Sequence, residues 1–280
     1  MTAILQLLTT AKKELGKTSE TPDADAEILL CHTLGCDRAY LYTWPEKQPE
    51  QDQIKRYEEL IQRRQQGEPV AYLTGKRSFW DFTLSVSPAT LIPRPETELL
   101  VEQALTLIPE NSALDILDLG AGTGAIALAI AHERPACNIT AVEYSKSACT
   151  IAEKNIHQFS KGNIRLLEGN WFSTLNQQPF DIIISNPPYI AERDPHLHQG
   201  DVQYEPTSAL SAGEDGLDAI RHIILNAPKH LRASGWLLLE HGYDQANVVN
   251  HLFLKHGFKH ISHLKDLSNN PRITLGQFTN

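Results

Sequence analysis

The sequence predicts an α/β protein in which a small helical domain precedes a doubly wound, mostly parallel sheet. Three observations support this prediction. The first 75 residues show only the spacing of apolar residues that is typical of helices. From Leu114 onward, short apolar runs typical of buried strands alternate with longer segments typical of helices. A glycine-rich turn at residues 120–124 follows the first of these runs, where such sheets join a strand to a helix.

The N-terminal region, residues 1–75, is predicted to be a bundle of helices. The first helix has one apolar face and ends near Gly16, the second begins after Thr21-Pro22-Asp23, and the third covers residues 49–66. Residues 76–92 include alternating apolar and polar side chains and are predicted to form a hairpin-like β connector. Residues 93–280 then form the sheet domain.

The sheet domain begins with a predicted helix from Glu96 to Leu107, whose acidic first turn suits the helix dipole. The predicted strands that follow are LDILDLG (114–120), NITAVE (138–143), NIRLLEG (163–169), FDIIISN (180–186), GWLLLEHG (235–242), HISHLKDL (260–267) and RITLGQF (272–278). The predicted helices between them are TGAIALAIAHE (123–133), KSACTIAEKNIHQF (146–159), GLDAIRHIILNAPKHL (216–231) and QANVVNHLFLKHG (245–257). Ser268-Asn269-Asn270-Pro271 joins the last two strands as a hairpin, so one edge strand is predicted to be antiparallel.

The composition is that of a soluble globular protein with a net negative charge. The 280 residues include 25 Lys and Arg against 34 Asp and Glu, which gives a net charge of −9. This length fits one large domain, or a large domain with a small one. The acidic balance argues against a protein that holds long nucleic acid by charge alone, because that binding needs a basic stripe.

The cysteines and the N-terminus indicate a cytoplasmic protein. The four cysteines stand at positions 31, 36, 137 and 149 without a CxxC pair, which is not the pattern of a disulfide framework or a zinc site. Free thiols and no bound metal are therefore expected. The N-terminus does not have the charge order of a secretory signal, and the apolar runs are shorter than the ~18 residues of a membrane span.

The loop after the first predicted strand is a candidate cofactor site. In DLGAGTG (118–124), Gly120, Gly122 and Gly124 let the backbone turn sharply and approach a ligand closely. The second strand ends at Glu143, whose carboxylate can accept hydrogen bonds from both hydroxyls of a ribose. The spacing differs from the GxGxxG of dinucleotide binders and from a P-loop. Loop and acid together indicate S-adenosylmethionine in preference to NAD, and a plain βα turn with a surface Glu is the alternative.

A rigid polar turn is predicted at the end of the fourth strand, where Asn186-Pro187-Pro188-Tyr189 follows FDIIIS. The two prolines fix φ and lack N–H donors, and a residue before proline is pushed toward extended geometry. The turn therefore presents two acceptors, the side-chain oxygen of Asn186 and the carbonyl of Pro187. Tyr189 offers a flat face to a planar group. A proline-rich loop with Tyr189 packed against the fold is the alternative.

Two acceptors at this place suit a planar NH2 group, because each acceptor takes one N–H. The nitrogen of an amide or an aromatic amine is a poor nucleophile, since its lone pair is delocalised. When it attacks a methyl sulfonium it gains positive charge, and acceptors placed for that charge stabilise the transition state more than the ground state. The turn therefore predicts methylation of a planar nitrogen.

The chain resembles the bacterial protein-(glutamine-N5) methyltransferases that modify peptide chain release factors, over nearly its whole length. The segments that carry the resemblance are LIPRPETE (91–98), DLGAGTGAIALAIA (118–131), SNPPYI (185–190), YEP (204–206), LLLEHG (237–242) and DLSNNPRITLG (266–276). NPPY is shared with adenine and guanine N-methyltransferases. LIPRPETE, a short way upstream of the glycine loop, is more specific.

The resemblance implies a Rossmann-like, seven-stranded class I methyltransferase fold that uses S-adenosyl-L-methionine. The residues it assigns to cofactor binding are Gly120, Ala121, Gly122, Thr123, Gly124, Glu143, Asn170, Trp171 and Asn186. It assigns catalysis to Asn186, Pro187 and Tyr189, and binding of the substrate glutamine to these three with Pro188. The implied partner is a class I peptide chain release factor with its Gly-Gly-Gln loop, docked by residues 1–75. Membrane binding and direct nucleic-acid binding are not expected.

Two residues depart from the commonest pattern of the family. Glu143 stands where Asp is frequent, which preserves hydrogen bonding, and Asn170 stands where Asp is frequent before Trp171. The amide of Asn170 can still accept from the amino group of adenine. Arg94, between two prolines, is a candidate for orienting a loop over the site.

Two other functions compete with glutamine methylation. An N6-adenine or ribosomal RNA methyltransferase would use the same NPPY chemistry, but it needs a basic nucleic-acid-binding module. Residues 1–75 instead carry nine Lys and Arg against twelve Asp and Glu. A regulatory protein that binds the cofactor without catalysis is the third candidate, and the intact Asn186-Pro187-Pro188-Tyr189 turn argues against it.

Overall fold

The computed structural model describes residues 2–176 and 178–279, which divide into two units. The first unit consists of the chain up to Lys76 together with His198–Tyr204. The second consists of Arg77–Leu197 together with the chain from Glu205 onward. The domain boundaries after residues 75 and 92, and a docking role for residues 1–75, stay predictions.

The first unit is helical, as the sequence predicts. Its helices are α1 (Ile4–Leu15), α2 (Pro22–Leu34), α3 (Arg38–Thr43), α4 (Gln51–Gln65) and α5 (Val70–Thr74). The short helices α3 and α5 were not predicted, because six and five residues are too few to show a helical period. Asp37 caps α3 by accepting a hydrogen bond from the backbone N–H of Tyr40 at 2.9 Å. Apolar side chains of α1, α2 and α4 form the core of the unit.

A segment distant in the sequence completes the first unit. Arg64 at the end of α4 donates to Asp25 at 2.7 Å and to Asp201 at 2.8 Å. Tyr204 donates its hydroxyl to the carbonyl of Gln66 at 2.5 Å. Residues 198–204 therefore belong to the helical unit although they follow the Asn-Pro-Pro-Tyr turn in the chain.

The second unit holds the β-hairpin that the sequence predicts, apart from the hairpin's first residue Lys76, and after it a helix and a large sheet. The hairpin and the helix after it are β1 (Lys76–Phe79), β2 (Phe82–Ser85) and α6 (Pro95–Leu107). The strands of the large sheet are β3 (Asp115–Leu119), β4 (Asn138–Glu143), β5 (Ile164–Glu168), β6 (Phe180–Ser185), β7 (Leu231–Glu240), β8 (Phe258–Lys265) and β9 (Pro271–Phe278). The helices between these strands are α7 (Ala125–Glu133), α8 (Lys146–Phe159), α9 (Asp218–Asn226) and α10 (Ala246–Lys255).

The seven strands have the order β5-β4-β3-β6-β7-β9-β8. All neighbouring pairs from β5 to β7 are parallel, which confirms the mostly parallel sheet. The last two strands form the predicted hairpin, but the prediction that the antiparallel strand lies at the edge is wrong. The antiparallel strand is β9, which lies between β7 and the edge strand β8. β9 buries residues 273–276, whereas β8 exposes most of its polar side chains. The more apolar strand of the terminal hairpin therefore takes the inner place.

Helices cover both faces of the sheet. Alternate side chains of β3 and β6 face opposite ways: Ile116 and Ile182 pack with α6 and α7, while Leu117 and Ile183 pack with α9 and α10. This arrangement explains why the central strands are apolar along their whole length. Of the helices in the described residues, none combines the length and the apolar character that a membrane span requires.

Candidate active site

The predicted site residues lie around a cavity at the carboxyl ends of the central strands. β3 lies between β4 and β6, and the chain continues from β3 and from β6 toward opposite sides of the sheet. Parallel sheets bind ligands at such a switch point, because the diverging loops leave a crevice. The cavity has a volume of ≈ 260 Å³, and the loops after β3, β4 and β6 contribute to its wall.

The cavity brings together most of the residues singled out from the sequence. Its wall contains nine of them: Gly120, Ala121, Gly122, Thr123, Glu143, Asn170, Trp171, Asn186 and Pro188. Gly124, Pro187 and Tyr189 are not among the wall residues in the described part of the chain. Gly124 is instead the N-cap of α7, and a Cβ on it would meet Ile156 of α8 at 3.7 Å. The roles assigned to all these residues stay predictions.

The glycine loop turns back beside the end of β4. The backbone N–H groups of Gly120 and Ala121 both donate to the carbonyl of Val142, at 2.8 and 3.0 Å. Gly120 and Gly122 have φ values of 75° and 55°, which residues with a Cβ rarely adopt. Among the described residues outside its chain neighbours, a Cβ on Gly122 would come within 4.0 Å of the carbonyl oxygen of Gly120 alone. The loop therefore leaves open space beside its backbone, where a ligand can approach closely.

Glu143 holds the glycine loop and the start of α8 with its two carboxylate oxygens. Oε2 accepts from the N–H of Gly122 and Oε1 accepts from the N–H of Ser145, each at 2.8 Å. A carboxylate has about four lone-pair sites, so each oxygen retains an acceptor site. Glu143 also lines the cavity, so it can accept from hydroxyl groups of a ligand while it keeps the loop in place.

Trp171 closes another side of the cavity in an unusual backbone conformation. Its φ is 51°, in the left-handed region that a bulky residue avoids. A Cβ on Gly120 would lie 3.5 Å from the indole ring, so the ring stands directly over the glycine loop. Asn170 precedes it and donates its N–H to the Ser173 hydroxyl at 3.1 Å. The pair offers a flat apolar face and an amide to a ligand beside the loop.

The Asn-Pro-Pro-Tyr turn is anchored to the central strands. Ser185, the last residue of β6, donates its hydroxyl to the carbonyl of Leu119 at 2.6 Å. Asn186 donates its side-chain N–H to the hydroxyl of Thr97 at 3.0 Å. Within residues 2–176 and 178–279, the other end of this amide, Oδ1, accepts no hydrogen bond. Asn186 also lines the cavity, so Oδ1 remains available to a substrate.

Two functional candidates, Thr97 and Glu240, were not singled out from the sequence. Thr97 on α6 donates its hydroxyl to Glu240 Oε2 at 2.8 Å, and the Tyr189 hydroxyl donates to Oε1 at 3.3 Å. Glu240 ends β7 and is 1% exposed. Burial raises its pKa to about 7, against the lowering effect of the two hydroxyl donors and of Arg272. Burial also raises the pKa of Tyr189, which stays protonated and donates.

Both residues could have been identified from the sequence, because they lie in segments that carry the family resemblance. Thr97 belongs to LIPRPETE and Glu240 to LLLEHG, both of which carry the family resemblance. A buried acid at the end of a predicted strand is also rare enough to indicate a specific partner.

Arg94 joins two segments that line the cavity. Its guanidinium pairs with the carboxylate of Glu205, which is buried and also accepts from the N–H of Ile92 at 3.0 Å. Pro93 and Pro206, the neighbours of these residues, are part of the cavity wall. The ion pair therefore holds the LIPRPETE and YEP segments together, in keeping with the hypothesis that Arg94 orients a loop at the site.

Comparison with known proteins assigns the chain to a family. Residues 6–75 match the family described as PrmC N-terminal domain, and residues 95–201 match the methyltransferase small domain. The release factor glutamine methyltransferase of Salmonella typhimurium is 49% identical over 263 residues, which are 94% of this chain and 95% of that protein. The chain belongs to the release factor glutamine methyltransferase family. The Escherichia coli member is 48% identical, over 94% of each chain.

Membership in the release factor glutamine methyltransferase family confirms the resemblance read from the sequence. It also makes the chain a methyltransferase and supports the class I fold. A methyltransferase from Pyrococcus furiosus, solved by crystallography, has a TM-score of 0.55 and 18% identity, covering 72% of this chain and 92% of that chain. At that identity the likeness concerns the fold alone. It agrees with the seven-stranded sheet described above.

Proposed function

We propose that this chain transfers the methyl group of S-adenosyl-L-methionine to the side-chain amide nitrogen, N5, of the glutamine in the Gly-Gly-Gln loop of class I peptide chain release factors. The observation that carries the proposal is that the glycine loop, Glu143 and the acceptor Asn186 share one cavity. Family membership supports the substrate, since the relatives are named release factor glutamine methyltransferases.

The residues of the cavity fit S-adenosyl-L-methionine. Gly122 leaves open space beside the loop backbone, and Glu143 retains acceptor sites for the two hydroxyls of a ribose. Trp171 provides an aromatic face, and Asn170 an amide that can accept from an adenine amino group. When bound, S-adenosyl-L-methionine supplies a methyl group on a sulfonium sulfur, which is a strong electrophile.

The Asn-Pro-Pro-Tyr turn orients the substrate amide. Asn186 Oδ1 and the Pro187 carbonyl each accept one N–H, so that the nitrogen lone pair is free to point away from them. Positive charge develops on that nitrogen as it is methylated, and the two oxygens stabilise it. Because they are held in place before the reaction, they act more strongly on the transition state than on the ground state.

The proton on the substrate nitrogen needs no strong base. Formation of the C–N bond at the cost of the sulfonium C–S bond leaves a positively charged amide nitrogen, which is very acidic and releases its proton to water. The turn assists at this stage only by keeping its acceptors next to the N–H groups. Metal ions are not expected to take part.

The proposed partner is the release factor itself, docked by the helical first unit. The adenine and RNA alternatives, which share the NPPY turn, are disfavoured by the acidic balance of residues 1–75 and by the names of the relatives. A cytoplasmic location agrees with a substrate that works in translation, and it stays a prediction.

The test is methylation of purified release factor with tritiated S-adenosyl-L-methionine, followed by mass spectrometry to locate the label. We expect label on the Gly-Gly-Gln glutamine and none on a release factor in which that glutamine is changed to alanine. RNA and DNA serve as competing substrates in separate reactions. Label on nucleic acid, label elsewhere on the release factor, or no label at all would contradict the proposal.

A further inference from the structure

A chain of polar side chains connects the Asn-Pro-Pro-Tyr turn to helix α6 and strand β7. Asn186 donates to Thr97 at 3.0 Å, Thr97 donates to Glu240 at 2.8 Å, and Tyr189 donates to the other oxygen of Glu240 at 3.3 Å. Thr97 and Glu240 are 5% and 1% exposed. The bond between Thr97 and Glu240 therefore forms away from bulk water, where an unpaired polar group is costly.

The direction of these bonds fixes which end of the Asn186 amide faces the substrate. A threonine hydroxyl has one proton, and here Glu240 accepts it. The hydroxyl oxygen of Thr97 can then only accept from Asn186, so it selects the NH2 end of the amide. The oxygen end, Oδ1, is the one left to accept from a ligand.

We propose that Thr97 and the ionised carboxylate of Glu240 are positioning residues that hold the Asn186 amide with its oxygen toward the substrate nitrogen. This inference rests on the proposed function, because it concerns the acceptor that binds the glutamine amide. Without the pair, the amide can turn and present its own NH2 group to the substrate. An amide NH2 group donates but does not accept, so the turned Asn186 could not accept from the substrate NH2 group. The substrate would then lose its orientation.

The charge state of Glu240 decides whether each hydrogen bond between Asn186, Thr97 and Glu240 keeps the same donor. A protonated Glu240 can donate to Thr97, whose proton is then free to point at Asn186 and to favour the turned amide. The groups that face Glu240 are Thr97 and Glu96 from α6, Tyr189 from the turn, and Arg272 from β9. Burial, and to a smaller extent Glu96, raise the pKa of Glu240, whereas Thr97, Tyr189 and Arg272 lower it. The net result is a pKa of about 7. Methylation should therefore slow as the pH falls below about 7.

The first test compares substitutions of Thr97. Thr97→Val keeps the shape and removes the hydroxyl, whereas Thr97→Ser keeps the hydroxyl. We expect kcat to fall about tenfold or more in Thr97→Val, as for loss of one hydrogen bond that acts on the transition state, and to recover in Thr97→Ser. Affinity for S-adenosyl-L-methionine, measured by calorimetry, should stay within about twofold. Thr106→Val, an exposed position on the same helix, is the matched control and should leave kcat unchanged.

The second test is the pH profile of Glu240→Gln. A glutamine cannot ionise but can still accept from Thr97 through its oxygen. We expect the wild-type kcat to fall below about pH 7 and the variant to lose this acid limb. An identical acid limb in both proteins would overturn the role given to Glu240.

A third measurement needs no catalysis and no variant that might misfold. In the wild-type protein, NMR of the Asn186 side-chain NH2 should show strong protection from hydrogen exchange above pH 7, relative to the intrinsic base-catalysed rate at the same pH, and weaker protection as Glu240 protonates. Fast exchange at all pH values would overturn the inference. If wild-type protein fails to methylate release factor, the proposed function fails; if it methylates and Thr97→Val is equally fast, only the inference fails.

Discussion

Asn186 is the residue on which the proposed chemistry depends most directly. Asn186→Ala removes the acceptor that orients the substrate amide, and we expect kcat to fall by about 10²–10³, as for loss of one preorganised polar group. Cofactor affinity should change little. Asn186→Asp keeps an acceptor of similar shape, but it adds charge and loses the N–H that donates to Thr97, so it should also be slow. Wild-type rates in both variants would mean that the turn is only a loop.

A change at Gly122 should affect cofactor binding and not the orientation of the substrate. Gly122→Val places a branched side chain in the open space beside the loop, at a φ of 55° that valine avoids. We expect calorimetry to show loss of S-adenosyl-L-methionine binding while circular dichroism shows an intact fold. Unchanged affinity for the cofactor would contradict the proposed role of the loop.

Helix α8 supports the glycine loop through one buried side chain. Asn155 is 0% exposed and bonds with its amide to both backbone groups of Ser85 and to the carbonyl of Thr123. It therefore joins three elements: α8, strand β2 and the loop after β3. The position of the loop depends on this packing and not only on its glycines.

Removal of the Asn155 amide should affect both stability and cofactor binding. Asn155→Ala leaves buried backbone groups unpaired, and each such group costs about 1–3 kcal/mol. We expect urea unfolding to show a loss of at least about 2 kcal/mol, with weaker S-adenosyl-L-methionine binding. Asn226→Ala is the control, since that amide donates to the carbonyl of His222 in its own helix and accepts from the nearby Lys229 ammonium, both in exposed bonds. Equal stability of the two variants would refute the supporting role.

The whole molecule contains a helical unit that is completed by a segment from far along the chain. Arg64 bonds Asp25 of α2 and Asp201 of the segment 198–204, and its side chain is 11% exposed. Removing one partner of such a buried ion pair leaves an unpaired charge, which costs about 3–5 kcal/mol. That cost applies to the buried Asp25, and the attachment of residues 198–204 should weaken as well, since Arg64 holds that segment together with the Tyr204–Gln66 bond.

Arg64→Met tests this attachment. We expect faster amide hydrogen exchange in residues 198–204 and lower stability of the helical unit, with cofactor binding largely kept. Arg63→Met is the matched control, because Arg63 pairs with Glu68 at the surface and is 52% exposed. That variant should lose less than about 1 kcal/mol. Equal exchange in both variants would contradict the role of Arg64.

The order of the long helices and strands, the glycine loop and the Asn-Pro-Pro-Tyr turn could all be predicted from the sequence. These features depend on local chemistry: Gly120 and Gly122 permit positive φ, the prolines fix φ, and the period of apolar residues separates strands from helices. The short helices α3 and α5 were missed for the same reason, since they are too short to show a period.

The contacts between residues far apart in the chain could not be predicted in this way, because they arise from tertiary packing. Thr97 is 89 residues from Asn186 and 143 residues from Glu240, and no local pattern links them. The inner place of β9 likewise follows from how the two strands of the terminal hairpin differ in burial against the helices. Contacts of this kind depend on the packing of whole faces, whereas turns and periods depend on neighbours in the chain.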